Sequence, residues 1–191
     1  MKIIQHEQGS QNWLKWRRSL LTATDAPIIL KQSAYTLPFQ LWQRKLGMVE
    51  EQPVNKAMQR GSDLEPIARK WFNDKYDLDM KPVVVESIEY NFLGASLDGI
   101  SNSGFHLLEI KCNGPRNHGI AQLGEVPDYH MTQMQHQFIC TRSQIGYYLS
   151  YVEGDEIVIE VTPNPDFERF YLPIARKFWE NVVFLEPPAS F

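Results

Sequence analysis

The run FHLLEIKC (residues 105–112) limits the fold more than any other stretch of this chain. It is short and mostly apolar, with a turn sequence before it, and so reads as a strand, yet it carries Glu109 and Lys111. A strand rises about 3.3 Å per residue and alternates its side chains between faces, so Glu109 and Lys111 must project together. The preceding FLGASLDGI (92–100) is also strand-like, and SNSG joins the two as a turn. Asp98 then falls at the end of one strand and Glu109 near the end of the next. Neighbouring antiparallel strands bring such positions within about 5 to 8 Å, close enough for both carboxylates to grip one hard cation. With oxygen ligands and no Cys/His cluster supplying softer donors, Mg²⁺ or Mn²⁺ is the expected metal. Lys111 would stand beside it, orienting or deprotonating a water or neutralising charge that grows on a transferring phosphoryl group. The three residues fit equally well a surface ion pair on a solvated strand and an Asp-Gly turn.

Around this pair the sequence has material for a full core. It has 191 residues, 43% hydrophobic and 12% aromatic, which suits a single domain over 1–191. Nineteen Lys and Arg against 23 Asp and Glu give a net charge of −4, so nucleic acid is not held by bulk charge and any contact with it is local. Cys112 and Cys140 lack a CxxC spacing and supply neither a disulfide framework nor a zinc or iron–sulfur ligand set, which points to a reducing cytoplasm. The polar start MKIIQHEQGSQNW has no signal core, and no run reaches the ~18 apolar residues of a membrane span. Only EEQPVNK (50–56) and the tail EPPASF read as linkers.

Periodicity predicts helices near 13–17 and over 22–30, 38–46, 57–76 and 128–141, and a last one from Pro165 that turns Phe167, Phe170, Tyr171, Ile174, Phe178 and Val182 to a core. Leu64, Ile67, Ala68, Trp71 and Phe72 form the apolar stripe of the 57–76 helix. Strands are expected over 83–90, 92–100 and 105–112, then a hairpin of QIGYYLSYV and DEIVIEVT. The order argues for an α/β (α+β) fold with a mixed central sheet flanked by helices.

Three further features bear on the carboxylate pair. Glu65 can bring another carboxylate from the helix before the strands, although alone it reads as a solvated helical glutamate. Gln133 can hydrogen-bond a water or a phosphate oxygen, although alone it is an ordinary amphipathic glutamine. Arg17 precedes Thr24 at an expected helix start, where N–H groups and the dipole favour an anion; alone, Arg17 is a solvated basic residue.

In order and spacing, WLKWRRSLLTAT, RGSDLEPIARKWF, LGASLDGIS, LLEIKCNG and MTQMQHQF resemble the PD-(D/E)xK nuclease superfamily, and within it the YqaJ-type viral recombinase branch, the lambda exonuclease family. The likeness touches residues 13–141. It implies a restriction-endonuclease-like core, metal ligands at Asp98, Glu109 and the Ile110 carbonyl, and a catalytic lysine at Lys111. It also places the family's helix glutamate on Glu65 and its glutamine on Gln133. A pocket for a 5′-terminal phosphate falls on Arg17 and Thr24, with threonine where the family has serine. SLDG stands in place of SPDG and keeps the aspartate without the proline. His118, His130 and His136 match no motif position and read as surface or helix-packing residues.

The resemblance implies a 5′-to-3′ exonuclease on double-stranded DNA ends that uses Mg²⁺, with Mn²⁺ as a substitute and two ions during catalysis. It would degrade the 5′-phosphorylated strand and leave a 3′ overhang for a single-strand annealing protein in homologous recombination. It further implies a ring-shaped homotrimer around DNA, whose channel Lys15, Arg17, Arg18, Arg44 and Lys45 could line. Two other readings compete: a structure- or sequence-specific endonuclease of the same superfamily, such as a nickase or resolvase, and a catalytically silent DNA-binding module. Intact Asp98, Glu109 and Lys111 weigh against the second.

Overall fold

The computed structural model of the chain describes residues 1–49 and 55–188. Residues 50–54 of the first expected linker and 189–191 of the second lie outside the described residues. In chain order the elements are β1 (Lys2–Ile4), α1 (Gln11–Arg18), β2 (Leu21–Thr22), α2 (Ala26–Ile29), α3 (Pro38–Lys45), α4 (Lys56–Tyr76), β3 (Lys81–Glu86), β4 (Leu93–Ile100), β5 (His106–Lys111), α5 (Pro115–Gln122), α6 (Asp128–Thr141), β6 (Ile145–Ser150), β7 (Ile157–Val161) and α7 (Pro165–Val183). Side-chain caps start several helices: Ser10 accepts from the Trp13 N–H, Asn55 from Ala57 and Met58, and Asn164 from Asp166 and Phe167.

The strands form one mixed sheet in the order β1-β3-β4-β5-β6-β7, with β2 pairing along β4. Neighbours run antiparallel except β5 with β6 and β2 with β4, which are parallel. One face buries Leu93, Ala95 and Leu97 against Ile139 and Cys140 of α6 and Tyr171, Ala175 and Phe178 of α7. On the other, Ala68 and Phe72 of α4 cover Met80, Leu108, Ile110 and Leu149. The expected mixed sheet flanked by helices is therefore the fold. Among the described residues no helix is long and apolar enough to cross a membrane.

Several local expectations are corrected. The helix expected over 22–30 is the strand β2, a turn and the single-turn α2, because Leu21 and Thr22 pair with Leu93 and Gly94. The strand expected over 83–90 begins at Lys81 and ends at Glu86, where the Ser87 hydroxyl accepts the Tyr90 N–H and turns the chain into β4. The connection after β5 holds a helix, α5, and the N-terminus adds the edge strand β1. Ile67 and Phe170, assigned to apolar stripes, are 55% and 58% exposed.

Candidate active site

The site forms where the sheet opens. At Gly94 of β4, one edge is taken by Glu86 of β3 and the other by Thr22 of β2. Further along that second edge, Gly99 and Ile100 pair with Leu108 and Leu107 of β5. Among the described residues no strand pairs with that edge of β4 between these stretches, and Asp98 borders the gap. On the β3 side, Lys81 faces Ile100 while Val83 faces Leu97, so β4 carries an extra residue beside Asp98. Such a bulge disrupts the ladder and re-aims a side chain. Two hydrogen bonds record the outcome: Asp98 Oδ2 accepts the Ile110 N–H at 2.7 Å, and the Asp98 carbonyl accepts Arg69 Nη1 at 2.5 Å. The N–H and C=O of one strand residue share an edge, so the Ile110 carbonyl faces the same gap.

Glu109 is fully buried, which overturns the solvated-strand reading of the Glu109/Lys111 pair. A buried carboxylate persists only with partners. Lys111 forms an ion pair with Glu109 Oε1, Gln133 Nε2 donates to the same oxygen at 2.6 Å, and Gln137 Nε2 donates to Oε2 at 2.5 Å. Burial alone would lower the pKa of Lys111, but Glu109 and Asp98 outweigh it and hold the ammonium above its ordinary range. Burial, reinforced by Glu109 and Glu65 and opposed by Lys111, raises Asp98 well above the usual carboxylate range.

Glu65 reaches the site through an intermediary. Its Oε1 accepts Arg69 Nη1 at 2.8 Å, and the same nitrogen holds the Asp98 carbonyl. Gln133 points at Glu109 instead of standing free for a water. Among the described residues no three His, Cys, Asp or Glu side chains form a ready cage for a metal. The donors at hand are hard oxygens, the carboxylates of Asp98 and Glu109 and the carbonyl of Ile110. Two carboxylates sit beside one ammonium, a set that suits a hard divalent cation.

Arg17 and Thr24 do meet: Arg17 Nη2 donates to Thr24 Oγ1 at 2.9 Å. The expected helix dipole is absent there, because α2 is one turn long. Positive charge comes instead from side chains. Arg17, Arg18, Arg44 and Lys45 line a cavity of about 30 Å³ with Asp25. Asp25 is already engaged by Lys45 Nζ at 2.5 Å and by the Thr22 N–H and hydroxyl at 2.7 and 2.8 Å. The cavity is joined to the gap through Trp13, whose ring lies 4.6 Å from the Arg17 guanidinium and whose Nε1 donates to Ser96 Oγ at 2.8 Å. Ser96 precedes Asp98 by two residues on the same strand.

Sequence reasoning missed Gln137, Arg69 and Trp13. Gln137 stands four residues after Gln133, a helical spacing that was available as a signal; Arg69 stands four after Glu65 on α4. Trp13 gave no signal beyond its helix. The three histidines read as surface or packing residues are all buried. His136 bridges the Gly94 carbonyl and the Tyr171 hydroxyl, His130 meets the Tyr148 hydroxyl, and His118 meets Ser150.

The model of the YqaJ-like viral recombinase domain matches residues 12–144. The chain is 31% identical over 183 residues to the uncharacterized protein YqaJ of Bacillus subtilis (strain 168), covering 93% of this chain and 57% of that one. It is 29% identical over 156 residues to the uncharacterized protein R354 of Acanthamoeba polyphaga mimivirus, covering 73% and 28%. It therefore spans about half or less of the length of these relatives. Among solved structures, the alkaline exonuclease LHK-Exo from Laribacter hongkongensis superposes with a TM-score of 0.80 at 22% identity, over 93% of this chain and 94% of that one. A phage-related exonuclease from Haemophilus somnus 129PT gives 0.63 at 13% identity, over 87% and 96%. At these identities the likeness establishes a shared fold. The family match spans most of the chain, from α1 through α6, including the opened sheet, and so the chain belongs to the YqaJ-like viral recombinase domain family.

Proposed function

We propose that this chain is a metal-dependent exonuclease that degrades the 5′-phosphorylated strand of double-stranded DNA ends in the 5′-to-3′ direction, leaving a 3′ overhang for a single-strand annealing protein in the cytoplasm. The observation that carries the reading is one gap in the sheet bordered by Asp98, Glu109 and Lys111, with the Arg17–Thr24 pair, at the edge of the basic cavity, tied to the same strand through Trp13. The solved relatives named as exonucleases support it, one of them determined in complex with dAMP.

In this reading Asp98, Glu109 and the Ile110 carbonyl hold Mg²⁺, or Mn²⁺ in its place. A bound ion of this kind polarises the phosphoryl group and makes its water more acidic. The chain's own residues do the rest. Arg17 and Thr24 take the terminal phosphate and set the register of the strand. Lys111, as a cation, offsets charge that builds on the scissile phosphate. Gln133 and Gln137 orient Glu109, and Arg69 ties Glu65 to the Asp98 backbone. Water bonds to phosphorus as the bond to the 3′ oxygen breaks and that oxygen takes up a proton. A nucleoside 5′-monophosphate leaves, and the shortened strand carries a new 5′-phosphate for the same pocket.

The test supplies linear duplex with 5′-phosphate or 5′-hydroxyl ends, with Mg²⁺ or EDTA, to the wild type and to Asp98→Ala, Lys111→Ala and Arg17→Ala. Expected are release of mononucleotides from the phosphorylated strand, loss with EDTA and in the first two variants, and loss of the preference for phosphate in Arg17→Ala. Degradation of closed circular duplex at the linear rate would sink the exonuclease reading in favour of internal cutting.

A further inference from the structure

On the α6 side of Lys111 lies a chain of buried polar side chains that the reaction above does not use. In the parallel register of β5 and β6, Glu109 faces Tyr148 and Lys111 faces Ser150, so the four side chains share one face. Asn113, two residues past Lys111, closes the group: its Nδ2 donates to the Tyr148 hydroxyl at 2.8 Å and to the Ser150 hydroxyl at 2.9 Å. The Tyr148 oxygen also lies 2.8 Å from His130 Nδ1, and the Ser150 oxygen 2.7 Å from His118 Nδ1. Tyr148 and Ser150 have no exposure. These polar groups adjoin an apolar cluster of Leu107, Met134, Phe138 and Val161. Burying them carries a desolvation cost that apolar side chains of the same size would avoid, so the network calls for a role beyond packing.

Resting on the nuclease reading of the site, we propose that Tyr148 is a positioning residue for Lys111: held by Asn113 and His130, its phenol walls the Lys111 stem and keeps the ammonium on Glu109. Burial pushes the Tyr148 pKa up to about 12 against the opposing pull of Asn113 and Lys111, so the wall is a neutral phenol throughout the working range. His130 is held neutral by burial, its pKa lowered to about 2, and its Nδ1 shares a hydrogen bond with the phenol.

Tyr148→Phe keeps the ring and removes the hydroxyl. On 5′-phosphorylated linear duplex, kcat is expected to fall about tenfold with KM unchanged, and the same substitution added to Lys111→Ala is expected to cause no further loss of that variant's slow residual turnover. Asn113→Ala, at a half-buried position outside any helix or strand, should give the same pattern. Wild-type kcat in Tyr148→Phe, or an equal loss in both backgrounds, overturns the proposal. A second readout is independent of nuclease action: acetylation of Lys111 by a water-soluble succinimidyl ester, followed by peptide mass spectrometry, should quicken severalfold in Tyr148→Phe. Unchanged labelling overturns the positioning role even in an active enzyme. Faster labelling in a protein that degrades no DNA upholds the contact and rejects the nuclease reading.

Discussion

Glu109 shows at the residue scale how the site is held together. Its two oxygens take an ammonium and two amides, although the side chain has no exposure to water. Gln137→Leu keeps most of the volume and removes one donor. Groups that orient a metal-binding carboxylate typically matter 10- to 100-fold, so kcat/KM should fall by about that factor and the Mg²⁺ concentration for half-maximal rate should rise. A metal titration of turnover checks both. Gln135 is the control on the same helix: its amide donates to the Thr162 carbonyl and accepts from the Asn164 N–H, so Gln135→Leu should lower the melting temperature and leave the metal dependence unmoved. Sequence spacing showed that Gln133 and Gln137 share a helix face. That the face looks at Glu109 depends on where α6 lies over β5, which no local pattern encodes.

Placement of α6 is the decisive matter at the scale of elements. Its side chains pack tightly over Gly146 of β6, where a Cβ would stand 2.6 Å from Phe138 Cζ and 3.1 Å from Met134 Cε, and 3.1 Å from Leu107 Cδ1 of β5. Gly146→Ala should therefore lift the helix. Overpacking of this kind costs about 1–3 kcal/mol, read as a lower urea midpoint with unchanged slope. Because α6 carries both glutamines, turnover should fall as well; a stability loss with full activity would show that the helix yields without moving its amides. β4 illustrates the opposite limit of legibility. Its alternation and its Asp-Gly end were plain in the sequence, whereas its bulge and its divided edge arise from three distant segments, β2, β3 and β5, that meet along it.

Acid stability and assembly belong to the whole molecule. His136 ties α6 to β4 and α7, with Nε2–H donating to the Gly94 carbonyl and Nδ1 accepting from Tyr171. Burial lowers its pKa from 6.5 to about 4, so the unfolded chain binds a proton that the folded one refuses. Stability from this group is complete above about pH 6.5 and is lost as pH falls toward 4, by about 3 kcal/mol in all. Urea midpoints between pH 7 and pH 4 should follow that slope, and His136→Gln should flatten it. The net charge of −4 coexists with Arg17, Arg18, Arg44 and Lys45 gathered around one cavity. If these line a channel around DNA, as a ring of three copies would require, light scattering after size exclusion should give three times the mass of the chain, and a monomer at working concentration would count against the ring. The sequence by itself determined the helix and strand types of its strongly periodic segments and the order of Glu65, Asp98, Glu109, Lys111 and Gln133, because periodicity and motif spacing are local properties. Only the tertiary structure decided that Glu109 is buried, that Gln137, Arg69 and Trp13 join the site, and that three unassigned histidines are interior. Those outcomes rest on contacts between residues far apart in the chain, whose partners are chosen by how the helices pack on an opened sheet.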